Sequence, residues 1–162
     1  MHFLSSQRLR CKIALDETSF LASCRPFLST LNSKSLDIGC GSVPRNPFGA
    51  THSIGADIQG SIAGNVVRAD LLDEGIPFED GEFDYVVAYD FLEHIPRVSI
   101  GSGTVFPFVE LMNEAYRVLK DGGIFYSYTP AFPFPEAFVD PTHVNIITED
   151  TFSHYFCVSD DG

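Results

Sequence analysis

The chain has 162 residues, 44% of them apolar, and a formal net charge of −12. That is enough apolar sequence for one domain with its own core, and it excludes intrinsic disorder. An acidic surface repels phosphate backbones, and the ten Lys and Arg are scattered, which disfavours nucleic acid as a partner. No apolar run approaches the roughly 20 residues of a membrane span, and residues 1–15 lack the apolar stretch of a signal peptide. The four cysteines (Cys11, Cys24, Cys40, Cys157) show no C-x-x-C spacing, which fits buried or free thiols in a reducing cytoplasm, the expected compartment, better than bridges or zinc.

Residues 1–15 read as a loosely docked lead-in. From Asp16-Glu17-Thr18 onward, Phe20, Leu21, Cys24, Phe27, Leu28 and Leu31 recur at helical spacing, interrupted by Pro26. This predicts a helix kinked near Arg25 that covers one face of a sheet and closes at Asn32-Ser33. A strand is expected over about 35–38, running into Gly39-Cys40-Gly41. A strand ending in Gly-x-Gly is either an ordinary tight turn or a loop that brings backbone close to a nucleotide-like ligand. Asp37 sits inside that strand, where a carboxylate is costly unless it is used. Pro44 and Pro47 then limit the next segment to one helical turn or an irregular loop.

Further strands are expected over about 53–57, 66–69 and 83–89. The last has the β-branched and aromatic composition of a strand buried on both faces. Phe91-Leu92-Glu93-His94-Ile95 makes a short helical turn stopped by Pro96, and residues 99–104 read as a polar, glycine-bearing loop. Phe108, Leu111, Met112, Ala115, Val118 and Leu119 define an amphipathic helix ended by Asp121-Gly122-Gly123. A fifth strand over 124–128 leads into a loop rich in proline and phenylalanine from Pro130 to Pro141, then His143, then a last helix from near Thr148. Strands alternating with helices predict an α/β fold: a doubly wound, mainly parallel, Rossmann-like sheet of about five strands with helices on both faces. Residues 1–33 form the lead-in and first helix, and 34–162 the main domain. Ligands of such sheets bind at the carboxyl ends of the strands, where Gly39, Gly41, Asp57, Asp70 and Asp90 all fall. These carboxylates are either ligand groups or turn-forming residues.

Leu36-Asp37-Ile38-Gly39-Cys40-Gly41, the block from Phe83 through Asp90 to Pro96, and Arg117-Val118-Leu119-Lys120-Asp121-Gly122-Gly123 occur in this order. Together they resemble class I S-adenosylmethionine-dependent methyltransferases, in particular the small bacterial methyltransferase-domain group, over about residues 34–156. The resemblance implies that Asp37 and the backbone of Gly39, Cys40 and Gly41 face the methionine part of the cofactor. It implies that Asp57, with Ile58 beside it, receives the ribose hydroxyls, that Asp70 and Leu71 flank the adenine, and that Asp90 and Phe91 line the methyl side. The ribose donors and the sulfonium suit carboxylates, and a loop without lysine suits a ligand without phosphate. Two departures stand out: Val43 where a third glycine is usual, and room for five strands where the family has seven. The reading is therefore of a domain lacking the last two strands, with a homodimer through the exposed sheet edge as one way to cover it.

The implied function is methyl transfer to a small-molecule oxygen or nitrogen acceptor. The alternatives are a truncated or degenerate cofactor-binding domain without turnover, and an NAD-binding domain. His143 is the candidate base, and Phe132, Phe134 and Phe138 form either a substrate wall or plain packing. Asp90, Glu93 and His94 at i, i+3 and i+4, with His143, are also candidate ligands for a divalent metal. The spacing is similar to the metal-binding segment of ubiquinone-biosynthesis O-methyltransferases and small-RNA 2′-O-methyltransferases. Two carboxylates with two imidazoles suit manganese, iron or zinc better than magnesium.

Overall fold

Why Phe83–Tyr89 becomes an inner strand of the sheet follows from its side chains: Tyr85 and Val87 point to one face, Val86 and Ala88 to the other, and all four are buried. The computed structural model describes residues 16–24, 31–61 and 64–157. In chain order these form α1 (Glu17–Cys24), β1 (Lys34–Ile38), β2 (His52–Asp57), β3 (Val66–Arg68), β4 (Phe83–Tyr89) and a 3-10 turn (Leu92–His94). Then follow β5 (Ser99–Ile100), β6 (Thr104–Val105), α2 (Pro107–Val118), β7 (Leu119–Tyr128), α3 (Glu136–Val139) and α4 (Asp150–Tyr155). The main sheet has five parallel strands in the order β3-β2-β1-β4-β7, the Rossmann-like arrangement expected. Strand order reverses between β1 and β4, so the crevice of a doubly wound sheet opens where Gly39 follows β1 and Asp90 follows β4.

Each face carries its own core. On one, α2 lays Phe108, Leu111, Met112, Ala115 and Val118 against Leu36, Ile38, Val86 and Ala88. Pro107 occupies the first helical position, where its missing N–H costs nothing. On the other face Phe20, Leu21 and Cys24 of α1 join Phe48, Tyr85, Val87 and Tyr126. Arg117 explains one of the three sequence blocks. Its guanidinium donates at 2.8 Å to the carbonyls of Ile76 and Phe78 and to Asp80 and Glu114. It ties α2 to the connection between β3 and β4, far from the crevice in function though part of the motif.

Several expectations are corrected. Residues 99–104 are not a plain loop: β5 and β6 pair antiparallel as a small hairpin. The last strand starts at Leu119, directly at the end of α2, because Asp121-Gly122-Gly123 is absorbed as a bulge. The register runs from Phe83↔Leu119 straight to Tyr85↔Ile124, and Gly122 supplies the positive φ of +76° that lets the strand continue. The short helix α3 inside the proline-rich loop was not foreseen; α4 begins at Asp150, two residues from Thr148 and in keeping with the expected start near it. The proposed kink near Arg25 and the lead-in lie outside the described residues. Cys24 and Cys40 are free thiols, but Cys157 is disulfide-bonded, so the reading of four free thiols does not hold at that position. No helix among the described residues is long and apolar enough to cross a membrane.

Candidate functional site

The glycine loop is shaped by two left-handed residues, Gly39 at φ +68° and Gly41 at φ +63°. They face different surroundings. A Cβ on Gly39 would lie 2.2 Å from the Phe91 ring, so Phe91 packs onto bare backbone there. A Cβ on Gly41 would meet nothing within 4 Å, which leaves that backbone open to a ligand. The Gly41 N–H donates to Asp57 Oδ2 at 2.8 Å, and the Gln59 N–H donates to Asp57 Oδ1 at 2.9 Å. Both carboxylate oxygens are thus pinned by backbone, and each keeps a further lone pair for a hydroxyl. Ile58 beside it is exposed.

Asp70 ends the segment after β3. Its Oδ1 accepts the N–H groups of Leu72 (3.1 Å) and Asp73 (3.3 Å), while the Leu71 side chain belongs to the core. Cys40 fills the space above Gly55 of β2. Burial, and then the carboxylates of Asp37 and Asp57, push its thiol up to about 12.

Asp37, which the resemblance places toward the methionine part of the cofactor, is buried. It is 1% exposed, its Oδ2 accepts the Arg45 N–H at 2.7 Å, and its Oδ1 has no partner. Burial raises its pKa to about 6, against the lowering effect of the Arg45 N–H and charge. Its place is beneath the loop of residues 41–50, which Asn46 braces through paired bonds to the Ala50 backbone. Phe48 anchors the same loop by stacking on Tyr85 at 4.6 Å. The irregular loop that two prolines predict is therefore a rigid one.

Beyond it lies a cavity of about 600 Å³ between α1 and the carboxyl ends of β4 and β7, lined by Glu17, Arg45, Tyr89, Asp90 and Tyr128 among others. The Arg45 guanidinium carbon sits 4.4 Å above the Tyr89 ring, and a guanidinium nitrogen is 3.9 Å from Asp90 Oδ2. The Tyr89 hydroxyl donates to Glu17 Oε1; burial and that carboxylate hold the phenol protonated well beyond its ordinary range. Apart from Asp90, none of these residues was singled out for the site from the sequence. The signal that could have found them is the pair of tyrosines closing adjacent strands, Tyr89 opposite Tyr128.

The metal candidates divide. Glu93, His94 and His143 each offer a ligand atom within 4.8 Å of the others, but Asp90 is not of their number. The i, i+3, i+4 argument assumes a continuous helical turn. Asp90 instead has φ +47°, outside the 3-10 turn, with its N–H on the Tyr128 carbonyl at 2.8 Å. Its carboxylate lines the cavity with Arg45. Glu93 is buried; Oε2 accepts the Thr129 hydroxyl at 2.7 Å and Oε1 has no partner. His94 Nδ1 lies 3.2 Å from the Thr142 carbonyl and His143 Nδ1 lies 3.3 Å from the Ala137 carbonyl. Nδ1–H donation to those carbonyls leaves each Nε2 as the lone-pair nitrogen. Phe132, Phe134 and Phe138 are exposed on the same loop.

The glycine turn, the carboxylate after β2 and the crevice at the switch point define a nucleotide-cofactor fold of the α/β class. A family profile described as the methyltransferase domain matches residues 36–127, more than half of the chain, and the chain belongs to that family. S-adenosylmethionine is the cofactor of the family. Among solved structures the fold is similar to an S-adenosylmethionine-dependent methyltransferase from Archaeoglobus fulgidus, at 24% identity and TM-score 0.57, covering 86% of this chain and 66% of that one. It is also similar to a methyltransferase described as putative from Bacillus halodurans, at 20% identity and TM-score 0.57, over 84% and 66% of the two chains. The YcgJ protein of Bacillus subtilis matches at 22% identity and TM-score 0.53, over 85% and 66%. These likenesses show the fold. The chain spans 66% of the length of each of these structures. Among curated proteins none matches.

Proposed function

We propose that the chain transfers a methyl group from S-adenosylmethionine to an oxygen or nitrogen of a small molecule. The observation that carries this reading is Asp57, pinned by the Gly41 and Gln59 N–H groups beside an unobstructed Gly41. A preorganised acceptor next to open backbone fits a ribose diol. Asp70, after β3, would flank the adenine, and Phe91, packed on Gly39, would bound the cofactor towards its sulfur. S-adenosylmethionine supplies a methyl on a sulfonium, which a nucleophile takes by in-line displacement. The chain's part is to align the two reactants and remove a proton from the acceptor. His143, whose Nε2 has no hydrogen-bond partner among the described residues, is the base, and the exposed phenylalanines of the same loop provide an apolar wall. The test is incubation of cell extract with the protein and methyl-deuterated cofactor: a small molecule gaining one labelled methyl supports the reading, and none gained by any extract refutes it.

A second reading of the same loop has one observation in its favour, the partnerless buried Glu93 Oε1 beside His94 and His143. One carboxylate and two imidazoles suit manganese, iron or zinc, and such an ion would lower the pKa of a bound acceptor hydroxyl in place of a base. Chelation that leaves activity unchanged, with metal content equal in wild type and His143→Ala, removes it. A second copy of the chain pairing along β7 is a proposal of the same standing: among the described residues that strand pairs with β4 alone.

A further inference from the structure

The loop after β7 closes on Glu93 from both ends. Thr129, at its start, donates its hydroxyl to Glu93 Oε2 at 2.7 Å. The Val144 and Asn145 N–H groups, at its far end, both donate to the Glu93 backbone carbonyl at 2.9 Å. Bracing the loop uses Oε2 and that carbonyl and leaves Oε1 over. Glu93 is 1% exposed, and Oε1 has no partner among the described residues. A buried acceptor left in this way carries a desolvation cost that a donor on a ligand would remove.

The groups beside that carboxylate are acceptors too. Glu93, His94 and His143 each bring one ligand atom within 4.8 Å of the others. Each imidazole has Nδ1 against a backbone carbonyl, that of Thr142 for His94 and that of Ala137 for His143. A carbonyl is satisfied only by an N–H, so the other ring nitrogen, Nε2, carries the lone pair. The nearby hydroxyls are spent, Thr129 on Glu93 Oε2 and Thr142 on Asp140 Oδ1. One carboxylate and two imidazoles thus converge as acceptors with no donor between them. A primary ammonium has three N–H donors and one positive charge, the complement of that set. Two acceptors of one tetrahedral ammonium stand about 4.7 Å apart when each N···acceptor distance is about 2.9 Å, a spacing that the three residues admit.

The surroundings select the rest of the molecule. Phe132, Phe134, Phe138, Val139 and Val144 are each more than half exposed, and Phe132 and Phe138 meet edge to face with ring centroids 6.3 Å apart. The His143 contact with the Ala137 carbonyl puts this apolar surface one residue from the acceptors. Clustered exposed apolar side chains of this kind mark a binding surface. The charge around them has one sign. From Asp121 to Gly162 there is no Lys or Arg, and the loop itself carries Glu136 and Asp140. Arg97 reaches the loop but donates to Asn145 Oδ1 at 2.6 Å and to the Ile146 carbonyl at 2.7 Å. A carboxylate or phosphate finds no counter-charge there, whereas a cation on an apolar body finds both its charge and its wall. A metal ion held by the same three residues would make no use of the wall.

We propose that the loop after β7 is a socket for a primary amine on an apolar body, its ammonium held by Glu93, His94 and His143 and its body lying along Phe132, Phe134 and Phe138. Calling that amine the methyl acceptor rests on the methyl-transfer reading; the socket itself does not.

The experiment measures binding of probes that share one apolar body: 4-phenylbutylamine, its N,N,N-trimethyl analogue, 4-phenylbutanol and 4-phenylbutyrate. Binding is read by ligand-observed NMR in the presence of a chelator. Wild type is expected to bind the amine about tenfold or more tightly than each of the others, as charge-assisted hydrogen bonds imply. The trimethyl analogue keeps the charge and loses every N–H, so it separates a set of acceptors from attraction to aromatic faces alone. Glu93→Gln and His94→Ala, with folding checked by circular dichroism, should each weaken the amine about tenfold and leave the alcohol unchanged. Phe138→Ser should weaken amine and alcohol alike. Where Glu93→Gln does not fold, His94→Ala and the wild-type series decide. The alcohol, the carboxylate or the trimethyl analogue binding as tightly as the amine overturns the proposal. So does amine binding that requires added manganese or zinc, unchanged amine affinity in His94→Ala, or no amine binding to wild type. Amine binding by a chain that fails to bind S-adenosylhomocysteine supports the socket and counts against methyl transfer. S-adenosylhomocysteine binding without amine binding overturns the socket and leaves methyl transfer standing.

Discussion

Asp37 offers the most quantitative test of how the glycine loop is built. Its carboxyl is moved by burial from 3.8 to about 6. At about 1.36 kcal/mol per pK unit, the ionised side chain disfavours the folded state by about 3 kcal/mol. The sign follows from proton binding. Between pH 3.8 and about 6 the folded chain holds a proton that the unfolded chain releases, so stability falls as pH rises through that window. The contribution is fully present below pH 3.8 and gone above about pH 6. Asp37→Asn abolishes the titration while its amide oxygen can still accept the Arg45 N–H.

The amide NH2 would occupy the place of the partnerless Oδ1, at a cost of about 1–3 kcal/mol for an unsatisfied buried donor. The absolute stability of the variant is therefore a poor readout, and the difference from wild type as a function of pH is a good one, because groups not coupled to Asp37 cancel. Urea unfolding of both proteins from pH 4 to pH 8 should show wild type losing about 2.4 kcal/mol relative to Asp37→Asn, with the change centred between pH 4 and 6. Parallel curves would refute the burial of an ionisable Asp37 beneath the loop.

Other expectations follow from the same geometry. Asp57→Ala should weaken S-adenosylhomocysteine by about 1.5–3 kcal/mol, the range for hydrogen bonds to a charged group, and calorimetry showing unchanged affinity in a folded variant removes its role. Cys40, with its thiol pushed up to about 12, should resist iodoacetamide at pH 8 in the native protein and react once unfolded; native labelling, read by mass spectrometry, contradicts that environment. Pairing along β7 should appear in sedimentation as a concentration-dependent dimer, and a monomer at all concentrations rules it out.

The parts of the fold written in local pattern were legible. Tyr85, Val86, Val87 and Ala88 alternate faces as a central strand must, and the apolar stripe of α2 has helical period. What was not legible depended on tertiary context. The glycines at 122 and 123 signal a break, and only pairing with β4 makes that break a bulge inside β7. Asp90 has the spacing of a helical ligand set, yet one left-handed residue turns its carboxylate away from Glu93 and His94. Asp37 reads as a ligand group because it precedes the glycine turn; its burial is decided by Arg45, eight residues on, whose loop folds back over it. The Arg45 cavity depends on α1, β4, β7 and the proline-flanked loop meeting at one place, which no single stretch of sequence encodes.

The most direct test of the central claim is calorimetry of the chain with S-adenosylhomocysteine and, separately, with NAD. The expected result is saturable one-to-one binding of S-adenosylhomocysteine that Asp57→Ala weakens, with no binding of NAD. Binding of NAD in preference, or of neither, would contradict the assignment of the crevice to S-adenosylmethionine.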